Sequence, residues 1–185
     1  MIHEPVLLDE VLRYLKPEAG KNYIDATAGS GGHAIAIINA IRPLDPSTPL
    51  RAGAARGKPG KLLALERDGE LFRELQKRLT EACGSSSKHC ISRRTSYTAI
   101  ESVVRSLKFG PVAGVLFDFG LSSFHFEASR RGFSFRRDEP LDMRYSQEDL
   151  SETTADILAE RRQEELERIL KEFGDEPFAR AIARE

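Results

Sequence analysis

The sequence predicts an α/β fold, a parallel sheet covered by helices, and three observations predict it. Short apolar runs alternate with amphipathic stretches of helical period, the pattern of units whose strands run parallel. The first run leads through a glycine-rich turn, Gly29-Ser30-Gly31-Gly32-His33, into a second apolar stretch, which is how strand-turn-helix ligand sites begin. Finally, 185 residues with 40% hydrophobic content suit roughly one domain with a real core, domains commonly running about 100 to 200 residues.

Leu8, Val11, Leu12 and Leu15 repeat at helical spacing, and Pro17 with Gly20 ends that pattern. A strand over 22–26 follows, then the glycine turn and a helix carrying Ala34-Ile35-Ala36-Ile37-Ile38. A second strand, 61–66, precedes a helix with Leu71, Phe72, Leu75 and Leu79; a weaker run, 89–92, precedes a helix with Ile100, Val103, Val104 and Leu107. The fourth strand is 112–117, ending at Asp118. Two segments break this rhythm. Residues 42–60 hold four prolines and three glycines and read as an inserted surface loop. Residues 119–146 read as loop, and the remainder as helical, with Leu166, Ile169, Leu170 and Phe173 on one face. Gly174 is expected to end that helix and Asp175 to cap the next.

Composition narrows the function. Cys83 and Cys90 lie outside any Cys-x-x-Cys pair, so no metal site is expected and both are read as reduced thiols. No apolar stretch is long enough to span a bilayer, and the first residues show no targeting pattern, so a cytoplasmic protein is expected. A net charge of -1 excludes a wholly basic nucleic-acid coat protein but leaves room for a local basic patch.

In a parallel sheet, ligands bind beyond the carboxyl ends of the strands, where the glycine turn, Glu66 and Asp118 all fall. Glycines let a ligand approach the backbone, the following helix offers N–H groups to an anion, and Glu66 can accept hydrogen bonds from ribose hydroxyls. A nucleoside-bearing cofactor is implied, but its kind stays open. Gly29-x-Gly31-x-x-Ala34 also satisfies a loose dinucleotide fingerprint, although the acid lies 32 residues past Ala34 rather than roughly 20. The alternative is that the glycines merely close a tight strand-to-helix turn. Asp118 can hold the protons of a base's exocyclic amine, as methylation there requires, or simply cap the next turn. The run Arg130-Arg131-Gly132-Phe133-Ser134-Phe135-Arg136-Arg137 combines four arginines and two phenylalanines without an acid; its guanidinium groups suit phosphates and its rings suit unpaired bases. The bland alternative is a solvated loop over two buried rings.

Four blocks carry a resemblance to a family. They are His3-Glu4-Pro5-Val6-Leu7-Leu8-Asp9-Glu10-Val11-Leu12; Asp25-Ala26-Thr27-Ala28 with the glycine turn; Arg130 to Arg137 with Pro140-Leu141-Asp142-Met143-Arg144; and Phe173-Gly174-Asp175-Glu176-Pro177-Phe178-Ala179 with Ile182-Ala183. Together with 118–123 they resemble the bacterial small-subunit (16S) ribosomal RNA cytosine-N4 methyltransferases, a family with an organellar branch. The resemblance implies a class I S-adenosylmethionine-dependent methyltransferase fold with an all-helical insertion, acting on a cytidine N4 in the decoding region of 16S rRNA in the small ribosomal subunit.

It also implies cofactor contacts at Gly31, Gly32, His33, Glu66, Tyr97, Asp118 and His125, catalysis by Asp118, and RNA contacts at Arg130, Arg131, Phe133, Phe135, Arg136, Arg137 and Arg144. Glu66 stands where the family has Asp, Tyr97 for Phe, His125 for Gln and Phe119 for Leu. On this reading 1–123 form the cofactor domain and 124–185 begin the inserted RNA-facing domain. The resemblance stops at Glu185 with four strands legible, fewer than the family's fold carries. The chain therefore reads as an incomplete copy whose fourth strand keeps an unpaired edge, expected to be poorly stable or inactive alone. Two rival readings are a nicotinamide-dependent oxidoreductase and a noncatalytic RNA-associated remnant.

Overall fold

The computed structural model describes residues 5–42, 59–84, 88–149 and 151–185. Nearly all of the expected 42–60 insertion, together with His3 and Glu4, lies outside the described residues. The chain divides into two compact units, Met1–Ser122 and Ser123–Glu185.

In the first unit, β1 (Asn22–Asp25), β2 (Leu62–Glu66), β3 (Cys90–Arg94) and β4 (Val112–Leu116) form one parallel sheet in the order β3-β2-β1-β4. The central pair explains the near-continuous apolar runs, because both faces of a parallel sheet are covered: every residue of β2 is buried. Its side chains alternate between two cores. Leu62 and Ala64 join Tyr23, Ile37, Ile38, Ile41, Leu75 and Leu79, so α2 (Gly32–Ile41) and α3 (Gly69–Cys83) cover one face. Leu63 and Leu65 join Ile24, Ala26 and Phe109 on the other, against Ile100, Val103 and Val104 of α4 (Ile100–Ser106). The amphipathic α1 (Leu8–Leu15) adds Leu12 and Leu15 to the first core. It ends at Lys16 in the left-handed region. Tyr23, buried in β1, fixes that exit: its hydroxyl donates to the Lys16 carbonyl at 3.2 Å and accepts from the Glu18 N–H at 3.0 Å.

One expectation about this unit is corrected. Cys83, the last residue of α3, and Cys90, the first of β3, are joined in a disulfide rather than left as two thiols, with Cα atoms 6.5 Å apart. The end of α3 and the start of β3 lie close enough to bring residues seven apart to bridging distance. Motif spacing carries no sign of this proximity.

The second unit is helical: α5 (Ser123–Glu127), α6 (Thr154–Glu160), α7 (Gln163–Gly174) and α8 (Ala179–Arg184). α5 falls within the stretch read as loop; at five residues it is too short for a periodic signal. Thr153 and Asp156 form a reciprocal capping box at the start of α6. Gly174 is still helical, and Asp175, in the left-handed region at φ 48°, closes α7 instead of capping α8. The apolar stripe of α7 is also only partly covered, Phe173 being 82% exposed.

Candidate functional site

The carboxyl ends of β1, β2 and β4 converge on the glycine turn. The strand pairing continues past β1 through the Ala26 N–H to the Leu116 carbonyl and the Ala28 N–H to the Leu65 carbonyl, both at 2.9 Å. The turn is thus held between the neighbouring strands. Gly31 has φ +95°, and a Cβ there would lie 2.9 Å from the Leu75 side chain, so both conformation and space demand glycine. Glu66, buried at the end of β2, accepts from the Gly29 N–H at 2.8 Å and the Asp68 N–H at 2.6 Å. The Arg67 backbone N–H adds a third hydrogen bond, leaving the carboxylate about one of its four acceptor sites. Burial, opposed by these backbone bonds, pushes the Glu66 carboxyl above its ordinary range.

Asp25, the last residue of β1, is an acid that the sequence reading passed over. It is 1% exposed, its Oδ1 accepts a long 3.2 Å bond from the Thr27 N–H, and its Oδ2 is buried without a hydrogen-bond partner among the described residues. Burial pushes its pKa up to about 7, with the Glu66 and Asp118 charges adding to the rise. The signal available in the sequence was an acid closing an otherwise apolar strand. Its burial depends on β2 and β4 packing on either side of β1, which no local pattern reveals.

Asp118 follows β4 and is tied in place by its own N–H, which donates to the Thr27 hydroxyl at 2.7 Å, while its side chain stays 53% exposed. His33, in the first turn of α2, is nearly buried; its Nε2 lies 2.9 Å from the Val6 carbonyl and its Nδ1 3.9 Å from Asp118 Oδ2. Tyr97, in the turn after β3, meets Phe119 edge-on at 5.3 Å, and Phe119 stacks on Phe117 at 5.5 Å. All three rings are substantially exposed, Phe119 at 68%. The structure therefore brings Gly31, Gly32, His33, Glu66 and Asp118 to one sheet edge, with Asp25 among them and Tyr97 at the end of the neighbouring strand.

His125 is not among them. It belongs to the second unit, is fully buried, and packs against Tyr145 at 4.7 Å, Phe133 at 5.4 Å and Phe124 at 5.6 Å. Within the second unit the ring has a packing role. The RNA-facing residues divide similarly. Arg131 is buried, donates to the Tyr145 carbonyl at 2.9 Å and lies over the Phe124 ring. Arg144 forks onto Asp142 with bonds of 2.7 and 2.8 Å, holding that carboxyl well below the usual carboxylate range. Phe133 lies against His125. These three build the loop, Arg131 through backbone carbonyls, Arg144 through a carboxylate and Phe133 through ring packing. Arg130, Arg136 and Arg137 are exposed, although Arg137 also donates to the Glu127 carbonyl. Phe135 is 96% exposed beneath the Arg136 guanidinium.

A Rossmann-like sheet with a glycine turn and carboxylates at its strand ends defines a class, the α/β proteins that bind a nucleoside-bearing cofactor. Within it, the chain belongs to the MraW methylase family, whose sequence profile matches residues 1–185. The fold is accordingly the class I methyltransferase type. The chain is similar to ribosomal RNA small subunit methyltransferase H of Dictyoglomus turgidum, 37% identical over 185 residues, 100% of this chain and 56% of that protein. The protein of the same name from Thermotoga neapolitana is also 37% identical, over 98% of this chain and 54% of its own length. The chain thus spans about half the length of these curated relatives. A solved SAM dependent methyltransferase from Aquifex aeolicus aligns over 49% of this chain and 38% of its own, at 13% identity and a TM-score of 0.34, too low a score to bear on the fold.

Among the described residues no helix is long and apolar enough to cross a membrane, and no group of His, Cys, Asp and Glu could hold a metal ion.

Proposed function

We propose that this chain forms the cofactor-binding part of an S-adenosylmethionine-dependent ribosomal RNA methyltransferase that modifies the N4 amine of a cytidine in the decoding region of the small subunit. The observation that carries the reading is Asp25 beside the glycine turn, whose Oδ2 is a buried acceptor with no hydrogen-bond partner among the described residues. Such an acceptor suits a ligand ammonium and disfavours the pyrophosphate that a nicotinamide dinucleotide would bring to this turn. The oxidoreductase is disfavoured on the same ground.

The residues present fit S-adenosylmethionine. Asp25 Oδ2 would take the ammonium, Glu66 a ribose hydroxyl through its remaining acceptor site, the turn at Gly31 and Gly32 the close approach of the ligand, and Tyr97 a face of the adenine. When bound, the cofactor supplies a methyl group on a sulfonium sulfur, a carbon open to attack by an amine nitrogen. Asp118 accepts a hydrogen bond from that amine and orients it, which is the main demand on a group that lines up two reactants. The target cytidine must leave its stack to reach the site. Exposed Arg130, Arg136 and Arg137 would hold RNA phosphates and Phe135 an unpaired base, while Arg131, Phe133 and Arg144 shape the loop.

The test is calorimetric titration of the chain with S-adenosylhomocysteine and with a nicotinamide dinucleotide. Binding of the first alone is the expected result; binding of the second alone would refute the assignment.

A further inference from the structure

Val6 contributes only a carbonyl oxygen, which accepts and cannot donate, so the 2.9 Å contact makes His33 Nε2 the N–H donor. In a neutral imidazole the other nitrogen, Nδ1, then carries the lone pair. That lone pair stands 3.9 Å from Asp118 Oδ2, itself an acceptor. Two acceptors facing across a gap beyond hydrogen-bond reach make a place for a donor.

The gap fits a group with two hydrogens on one atom. A nitrogen about 2.9 Å from both acceptors would see them roughly 85° apart, and an amino group with hydrogens about 120° apart could then keep each N–H···acceptor angle near 150°, within the preferred range. A carbonyl oxygen in the same place would set its lone pairs against two acceptors and leave both unsatisfied.

We propose that His33 determines base specificity, its Nδ1 and Asp118 Oδ2 together holding the two hydrogens of the target exocyclic amine and rejecting a keto base. The inference rests on the methyltransferase reading and adds a residue to it. It gives the imidazole a task of its own, separate from any cofactor contact that the backbone of the glycine turn makes.

The experiment is ¹⁵N NMR of the four histidines in the labelled chain saturated with S-adenosylhomocysteine. His33 is assigned by His33→Phe, and the probes are cytidine, uridine and N4,N4-dimethylcytidine. The expected result is an Nε2-protonated His33 whose Nδ1 resonance moves with cytidine and stays put with the other two. In a chain that folds, His33→Phe is expected to lower the cytidine-to-uridine affinity ratio about tenfold, the loss of one hydrogen bond of ~1.4 kcal/mol.

An Nδ1-protonated His33, an equal response to cytidine and uridine, or no response to cytidine in the S-adenosylhomocysteine complex would overturn the inference and leave the cofactor assignment standing. Failure to bind S-adenosylhomocysteine would overturn that assignment, and this inference with it.

Discussion

Replacing Asp25 with asparagine removes a buried charge while keeping the side chain's shape, and the consequence can be worked out as a function of pH. The carboxyl rises from 3.8 to about 7 in the folded chain, roughly three units, or about 4 kcal/mol at 1.36 kcal/mol per unit. Because the folded pKa lies above the unfolded one, the folded chain binds more protons between those values, and stability falls as pH rises through that window. The amide of the Asp25→Asn variant does not titrate and has no such dependence. The difference in unfolding free energy, variant minus wild type, is therefore expected to grow by roughly 2 to 3 kcal/mol between about pH 5 and pH 8 in favour of Asp25→Asn. Titrating groups that do not interact with Asp25 cancel in the difference, and its neighbours Glu66 and Asp118 add a smaller residual dependence. Urea unfolding at several pH values measures it. The same variant is expected to bind S-adenosylhomocysteine at least about tenfold more weakly, since the ammonium loses its carboxylate. A stability difference independent of pH would refute the burial argument, and unchanged ligand affinity would refute the assignment of Oδ2.

Gly31→Ala forces a side chain to φ +95° and against Leu75; a loss of about 1 to 2 kcal/mol is expected, read as a lowered urea midpoint, with weaker ligand binding. Arg131→Ala leaves buried carbonyls without their donor and is expected to destabilise by about 3 kcal/mol. Arg136→Ala touches an exposed side chain: its unfolding midpoint should stay unchanged, while RNA affinity falls and its salt dependence flattens by about one unit of log–log slope. Equal loss of stability in the two arginine variants would contradict their division into loop-forming and RNA-facing groups.

Much of the cofactor edge was legible because its signals are local. The alternation of apolar runs gave the four strands, the glycines marked the turn, and Glu66 and Asp118 were visible as acids at strand ends. What the sequence hid was decided by tertiary packing. Asp25 looks like any strand-end acid until β2 and β4 close around it. Arg131 and Arg136 are chemically identical in the sequence, yet the backbone at Arg131 presents carbonyls to the guanidinium and the backbone at Arg136 does not. His125 became a core residue because Phe133 and Tyr145, from later in the chain, close on it beside its neighbour Phe124. The Cys83–Cys90 bond similarly follows from where α3 ends and β3 begins.

Asp25 beside the glycine turn is expected to favour a nucleoside cofactor that carries an ammonium. Comparing the affinities of the chain for S-adenosylmethionine, whose sulfonium is charged, and S-adenosylhomocysteine, whose sulfur is neutral, in wild type and Asp25→Asn measures this. Wild type is predicted to bind both, and Asp25→Asn to weaken both about equally because both carry the ammonium. Undiminished binding of both ligands by Asp25→Asn, or binding of neither by folded wild-type chain, would contradict it.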